Sequence, residues 1–168
     1  DEAARERART RLAFEELFLL QSVLELRRRV LAEEGRGLIT AGPGNLATLA
    51  LDALPFRLTE EQRSALAEIV ADLRAPRPMH RLLIGEVGSG KTVVALLAAL
   101  HVIEAGHQAA FMAPTEILAR QHAVTLERFA APAGVAVAVL TGATPARERR
   151  ALIERLAAGE PMLVAGTH

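Results

Sequence analysis

Gly85-Glu86-Val87-Gly88-Ser89-Gly90-Lys91-Thr92 is the stretch that decides the fold. It matches G-x-x-x-x-G-K-[ST], the Walker A or P-loop pattern. Its surroundings fit the pattern. Leu82-Leu83-Ile84 before it is predicted as a short buried strand, and the Ala/Leu/Val-rich run after it as a helix from Gly90 to about Glu104. Each residue type has a chemical reason to be there. Gly85, Gly88 and Gly90 let the backbone turn tightly, so that the N–H groups of the loop, Val87 and Ser89 included, point inward at an anion. The helix that follows aims the positive end of its dipole at the same place. Lys91 is placed to reach the β- and γ-phosphates of a nucleotide, and the Thr92 hydroxyl to ligate Mg²⁺. The expected cofactors are therefore ATP and Mg²⁺.

Lys91 stands out for a second reason. The chain has 20 basic residues, and Lys91 is the one lysine among them. A background that otherwise uses Arg keeps Lys where a compact ammonium is needed, since Arg is a flat, bulky fork. The remaining composition is that of a globular domain. Half of the 168 residues are apolar, no Cys occurs, and formal net charge is zero. The missing Cys excludes a disulfide framework, thiolate metal sites and thiol nucleophiles, and agrees with a cytoplasmic protein. Zero net charge does not announce a nucleic-acid partner. No apolar run approaches the ~20 residues needed to span a bilayer, so no membrane is expected. The charged first residues, Asp1-Glu2-Ala3-Ala4-Arg5, do not resemble a signal peptide.

Outward from the loop the chain reads as alternating strands and helices. Strands are predicted at Ala109–Ala113, Val135–Leu140 and Met162–Ala165, with helices from Thr115 to about Phe129 and from Pro145 to about Ala158 between them. Such alternation with short connections implies an α/β fold with a parallel sheet. Upstream, Thr59 is the N-cap of a helix to about Leu73, with Gln62 at the capping-box position and Pro76 and Pro78 beyond its end. A short helix is expected at Leu46–Leu54. Gly35, Gly37, Gly42, Pro43 and Gly44 make a linker-like break. Residues ~11–34 carry a helical stripe of Leu12, Leu17, Leu20, Leu24 and Leu31, widened by Phe14, Phe18 and Val23. Arg27-Arg28-Arg29 and Glu33-Glu34 read as its solvated end, with a basic contact to DNA as the alternative.

Further segments narrow the class. Phe56-Arg57-Leu58-Thr59-Glu60-Glu61-Gln62 resembles the Q-motif region of superfamily 2 helicases, where Gln62 would bond the adenine edge through both donor and acceptor. The same Thr59-x-x-Gln62 is equally a capping box. Ala113-Pro114-Thr115-Glu116-Ile117-Leu118-Ala119-Arg120-Gln121-His122 resembles helicase motif Ia, in which Pro114, Thr115 and nearby backbone amides would hold a DNA strand by its phosphates. Thr115 is also a plausible N-cap. Leu140-Thr141-Gly142 and Val164-Ala165-Gly166-Thr167-His168 resemble two more nucleic-acid-facing motifs at strand ends. Thr141, Gly142, Gly166 and Thr167 are the residues concerned.

Together, Arg77-Pro78-Met79-His80-Arg81-Leu82-Leu83, the loop itself, Met112 to Ala119 and Gly166-Thr167-His168 resemble the RecG family of branched-DNA helicases. Arg11-Leu12-Ala13-Phe14-Glu15-Glu16-Leu17 resembles the helix that joins the family's wedge domain to its motor. Ile84 replaces a more usual Gln, and Glu86 a more usual Asp. Ser89 and the Thr115-Glu116-Ile117-Leu118 wording separate the chain from the transcription-repair coupling translocase, which is the nearest alternative. The resemblance implies a RecA-like P-loop NTPase sheet preceded by a helical segment. Residues 1–54 would be the helical linker into the motor, and 55–168 a partial ATP-binding domain truncated before the Walker B acid. It implies a monomeric intact protein that spends ATP to remodel branched double-stranded DNA at stalled forks and Holliday junctions, and a fragment inactive by itself. No acidic residue here, Glu104 and Glu154 included, is expected to be catalytic. Readings outside the helicases are a small-molecule kinase or a passive adaptor with a vestigial loop.

Overall fold

The structure is a computed structural model that describes residues 2–34, 39 and 42–168. Its elements run α1 (Glu2–Glu34), α2 (Asn45–Asp52), α3 (Glu60–Leu73), α4 (Lys91–Glu104), β1 (Ala109–Met112), α5 (Glu116–Ala130), a 3-10 turn at Ala131–Ala133, β2 (Val137–Leu140), α6 (Ala146–Ala157) and β3 (Leu163–Gly166). The three strands form a parallel sheet in the order β1-β3-β2. β3 lies between β1 and β2 and pairs in parallel with both, so each connection between successive strands is a crossover that carries a helix. Parallel pairing demands such crossovers.

β3 shows why the sheet is covered on both faces. Leu163 and Ala165 point to one side and join a core with Leu96, Leu97, Leu100 and Leu126. Met162 and Val164 point to the other and meet Leu152, Leu156 and Leu140. A central parallel strand needs apolar residues in both registers, and Met162-Leu163-Val164-Ala165 supplies them. α4 is the hub of the larger core. Val93, Val94, Leu96, Leu97, Leu100 and Ile103 are all buried on it, and it packs against α2, α3, α5 and β1. Its Glu104 reaches back about sixty residues along the chain. The carboxylate accepts hydrogen bonds from the backbone N–H of Gly44 (2.7 Å) and Asn45 (2.8 Å), which caps α2 in place of a side chain of its own. Glu104 is therefore a tether, where the sequence suggests only a surface charge.

Two expectations need correction. Leu82-Leu83-Ile84 does not join the sheet: Leu82 and Ile84 are 82% and 81% exposed, and no strand among the described residues pairs with the segment. Three apolar residues make a strand only when a neighbour exchanges backbone hydrogen bonds with them, and none does so among the described residues. α1 begins earlier than the apolar pattern implies, at Glu2, and its Leu12, Phe14, Leu17, Phe18, Leu20, Val23 and Leu24 all stay exposed. Ion pairs at helical spacing, Arg11 to Glu15 and Arg29 to Glu25, line its polar face. Gly35 and Gly37 of the expected linker, and the side chains of Arg28, Leu31, Glu33 and Glu34, lie outside the described residues.

Candidate nucleotide and nucleic-acid site

The loop from Gly85 to Gly90 stands at the start of α4 and folds over the Lys91 side chain. Lys91 Nζ donates to the carbonyl oxygens of Gly85 (2.7 Å) and Glu86 (2.6 Å) and to Ser89 Oγ (3.3 Å). Ser89 N–H closes the turn on Glu86 O at 3.2 Å. Gly88 and Gly90 have φ of +84° and +80°, a region where a Cβ costs about 1–2 kcal/mol. Gly90 is also the N-cap of α4, and no side chain caps that helix. The loop thus presents an ammonium and an uncapped helix start at one exposed turn. Those are the features a polyphosphate requires, and its oxygens would be stronger acceptors for Nζ than the carbonyls that hold it here. Thr92 sits half-buried on the first turn beside Lys91. No group of three or more His, Asp or Glu converges as a metal site among the described residues.

Gln62 ties this loop to α3. Its backbone N–H donates to Thr59 Oγ1 at 3.3 Å, and its Oε1 accepts from Thr59 N–H at 2.9 Å, a complete capping box. The same amide's Nε2 donates to Ser89 O in the P-loop at 2.8 Å. The capping reading is what the structure shows. An amide carries a second N–H and a second lone pair, so capping leaves capacity for a base edge. Capping and base contact are therefore compatible.

The three remaining motifs meet at the C-terminal end of the sheet, where parallel folds place their sites. Ala113 N–H donates to Gly166 O (2.8 Å), and Thr167 N–H to Leu140 O (3.3 Å), which stitches the ends of β1, β3 and β2 together. Gly166 could be nothing larger: a Cβ there would lie 2.2 Å from Leu140 O. Thr115 caps α5 by accepting from Leu118 N–H at 3.3 Å. Glu116 Oε1 then reaches across to accept from Ala143 N–H at 3.2 Å, which links the first motif to the second. Pro114, Thr115, Gly142 and Ala143 are exposed, and Gly166 and Thr167 half-buried.

Thr141 is placed differently from its neighbours. It is 2% exposed, and its hydroxyl has no hydrogen-bond partner among the described residues. Its backbone is held by Thr144 Oγ1, which accepts from Thr141 N–H at 2.9 Å, and by Arg149, which donates to Thr141 O at 2.7 Å. At this motif the outward-facing groups are the backbone of Gly142 and Ala143. Glu116, Thr144 and Arg149 hold the backbone of this turn in place. Glu116 and Arg149 act across 27 and 8 residues, which no short motif records, whereas Thr144 acts locally, three residues from Thr141.

Known proteins bear on this arrangement. The DEAD/DEAH box helicase family model matches residues 59–168. The RecG helicase of Borreliella burgdorferi is 42% identical over 97% of this chain, and that of Thermotoga maritima 46% identical over 97%. A solved structure described as RecG bound to a three-way DNA junction superposes with a TM-score of 0.87 at 45% identity, over 97% of this chain and 22% of that one. A hypothetical ATP-dependent RNA helicase from Sulfolobus tokodaii, at 22% identity and a TM-score of 0.51, shares the fold. The chain spans 23% and 21% of the length of the two RecG relatives. The parallel sheet with its P-loop is thus the RecA-like fold expected. With nearly two thirds of its residues matching the family model, the chain belongs to the DEAD/DEAH box helicase family, and it is similar to RecG over almost its whole length.

Proposed function

We propose that this chain is the ATP-binding part of a DNA translocase whose intact form couples ATP hydrolysis to the remodelling of branched duplex DNA, such as stalled forks and Holliday junctions. The observation that carries the reading is the seat of Lys91. Its ammonium is held among loop carbonyls at an uncapped helix start, and the same loop is tied through Ser89 to Gln62. Phosphate and base contacts are thereby arranged as one unit. The loop amides from Gly85 to Gly90 and Lys91 hold phosphates, Thr92 holds Mg²⁺, and Gln62 uses its spare amide capacity on adenine. When bound, Mg²⁺ supplies charge neutralisation at the reacting phosphate. Residues 55–168 are the ATP-binding portion and residues 1–54 the helical lead into it.

The strand-end groups serve DNA. Pro114, Thr115, Gly142, Gly166 and Thr167 offer backbone and hydroxyl groups to phosphates, contacts that position a strand without reading sequence. Thr141 contributes by shaping this edge from within. That the junction-bound RecG structure superposes over nearly the whole chain supports branched DNA as the partner. A monomer working in the cytoplasm is the simplest form of such a machine, and no described helix is long and apolar enough to cross a membrane. The test is ATP hydrolysis by the intact protein with forked and with linear duplex DNA. Forked DNA should stimulate turnover more, and Thr115→Ala should reduce stimulated turnover more than basal. Equal turnover with and without DNA would refute the translocase reading.

A further inference from the structure

The segment that leads into the P-loop is held in an unusual way. Among the described residues, none from 76 to 84 makes a backbone–backbone hydrogen bond; the last before it is Ala75 N–H to Asp72 O. Leu82 and Ile84 are exposed, and a groove of about 380 Å³ lies between the segment and α3, lined by Glu61, Ser64, Ala65 and Leu83 among others. Neither a strand ladder nor close apolar packing therefore fixes the path of the chain here. What does is Arg81. Its Nη1 donates to Glu68 Oε2 at 2.6 Å, its Nε to Asp72 Oδ2 at 2.9 Å, and its Nη2 lies 2.7 Å from the same Asp72 oxygen. Glu68 and Asp72 are one helical turn apart on α3, where two carboxylates repel unless a cation sits between them. A guanidinium fork can engage both at once with fixed geometry, which a lysine cannot.

α3 is the helix whose first turn carries Gln62, and Gln62 holds the far end of the same segment at Ser89. We infer that Arg81 is a positioning residue: by clamping the P-loop's lead-in to Glu68 and Asp72 of α3, it makes Gln62 and the phosphate loop one rigid unit, so that base recognition and phosphate binding stay in register. This rests on the nucleotide-binding reading above. Individual exposed ion pairs stabilise little, and Arg81, Glu68 and Asp72 are all partly exposed, so the clamp acts on geometry more than on global stability.

The experiment measures ATP and GTP turnover and equilibrium ATP binding by the intact protein. Arg81→Met should raise KM for ATP about tenfold with kcat changed less than about twofold, and should lower the preference for ATP over GTP, with little change in melting temperature. Arg81→Lys should lie between. The double variant Glu68→Gln/Asp72→Asn should reproduce Arg81→Met, and adding Arg81→Met to it should cause no further loss, because all three act through one contact. Wild-type binding of ATP that depends on Lys91, together with unchanged KM and unchanged nucleotide preference in Arg81→Met, overturns the clamp alone. So does a melting-temperature drop without those changes. Wild-type protein that binds no ATP overturns the nucleotide-binding reading and the clamp with it.

Discussion

Gln62→Glu separates two jobs that the structure gives to one side chain. Glutamate is isosteric with glutamine and keeps the oxygen that accepts from Thr59 N–H, so the capping box survives. Its charge sits in the first turn of α3, where the helix dipole favours an anion by about 0.3–1 kcal/mol. What it loses is Nε2, which donates to Ser89 O at 2.8 Å. An oxygen then faces an oxygen at that distance. A lost hydrogen bond costs about 1 kcal/mol, and the exposed carboxylate facing a carbonyl adds roughly as much again at a half-exposed site. The P-loop should therefore be released by about 2 kcal/mol, or roughly thirtyfold in KM for ATP. The loss should be no larger for ATP than for GTP, because the adenine amino group still finds an acceptor while guanine turns only acceptors, O6 and N7, toward the carboxylate. Gln62→Ala removes the cap as well and should lower both melting temperature and ATP affinity. The assay is steady-state ATPase of the intact protein beside thermal unfolding. If Gln62→Glu keeps KM within twofold of wild type, or loses as much stability as Gln62→Ala, the link between Gln62 and the loop is not functional.

Other perturbations test other joints. Glu116→Ala removes the acceptor of Ala143 N–H, and should cut DNA-stimulated ATPase about fivefold while basal ATPase stays within twofold, with Glu116→Gln retaining most of the stimulation. Gly166→Ala places a methyl 2.2 Å from Leu140 O inside the β2–β3 ladder, so urea unfolding should show a loss of about 1–3 kcal/mol or more. Glu104→Ala leaves two backbone N–H groups of α2 without their carboxylate, and the same assay should show about 1–2 kcal/mol lost, discounted for partial exposure. Burial holds the His101 imidazole below its ordinary pKa of 6.5, partly opposed by Glu104. The unfolded chain therefore binds a proton that the folded chain refuses, and stability should be level in this respect above pH 6.5 and fall as pH drops below it. His101→Gln should flatten that part of the slope in urea titrations between pH 7 and about pH 5.

Most of the fold could be read from local pattern. The P-loop, α4 and the strands on either side of α5 and α6 each announce themselves within a dozen residues, through periodicity and end signals. Thr59 and Gln62 announced a cap because a capping box is a contact over three residues. The readings that failed depended on distant partners. Leu82-Leu83-Ile84 has the composition of a strand, but whether it is one depends on a neighbouring strand, and none pairs with it among the described residues. Glu104 reads as a surface charge until Gly44 and Asn45 are seen to donate to it. Arg81 reads as part of a familiar phrase, and only the fold brings Glu68 and Asp72 to it. α1 starts at Glu2, ahead of the apolar stripe, because its first turns, Glu2 to Arg9, are built from good helix formers that carry no apolar period. Thr141 belongs to a motif that resembles a nucleic-acid-facing one, and a motif this short cannot say that its side chain turns inward.

The central claim is that Lys91 holds the phosphates of ATP in a DNA-stimulated motor. The direct measurement is ATP hydrolysis by the intact protein on forked DNA, for wild type, Lys91→Ala and Lys91→Arg, with circular dichroism to establish that each is folded. Lys91→Ala removes the one ammonium at the loop and should bring turnover to background. Lys91→Arg keeps the charge, but its planar fork cannot take the place where Nζ lies within 2.7 Å of two carbonyl oxygens, and it should also be severely impaired. Near-normal turnover in either folded variant would contradict the claim.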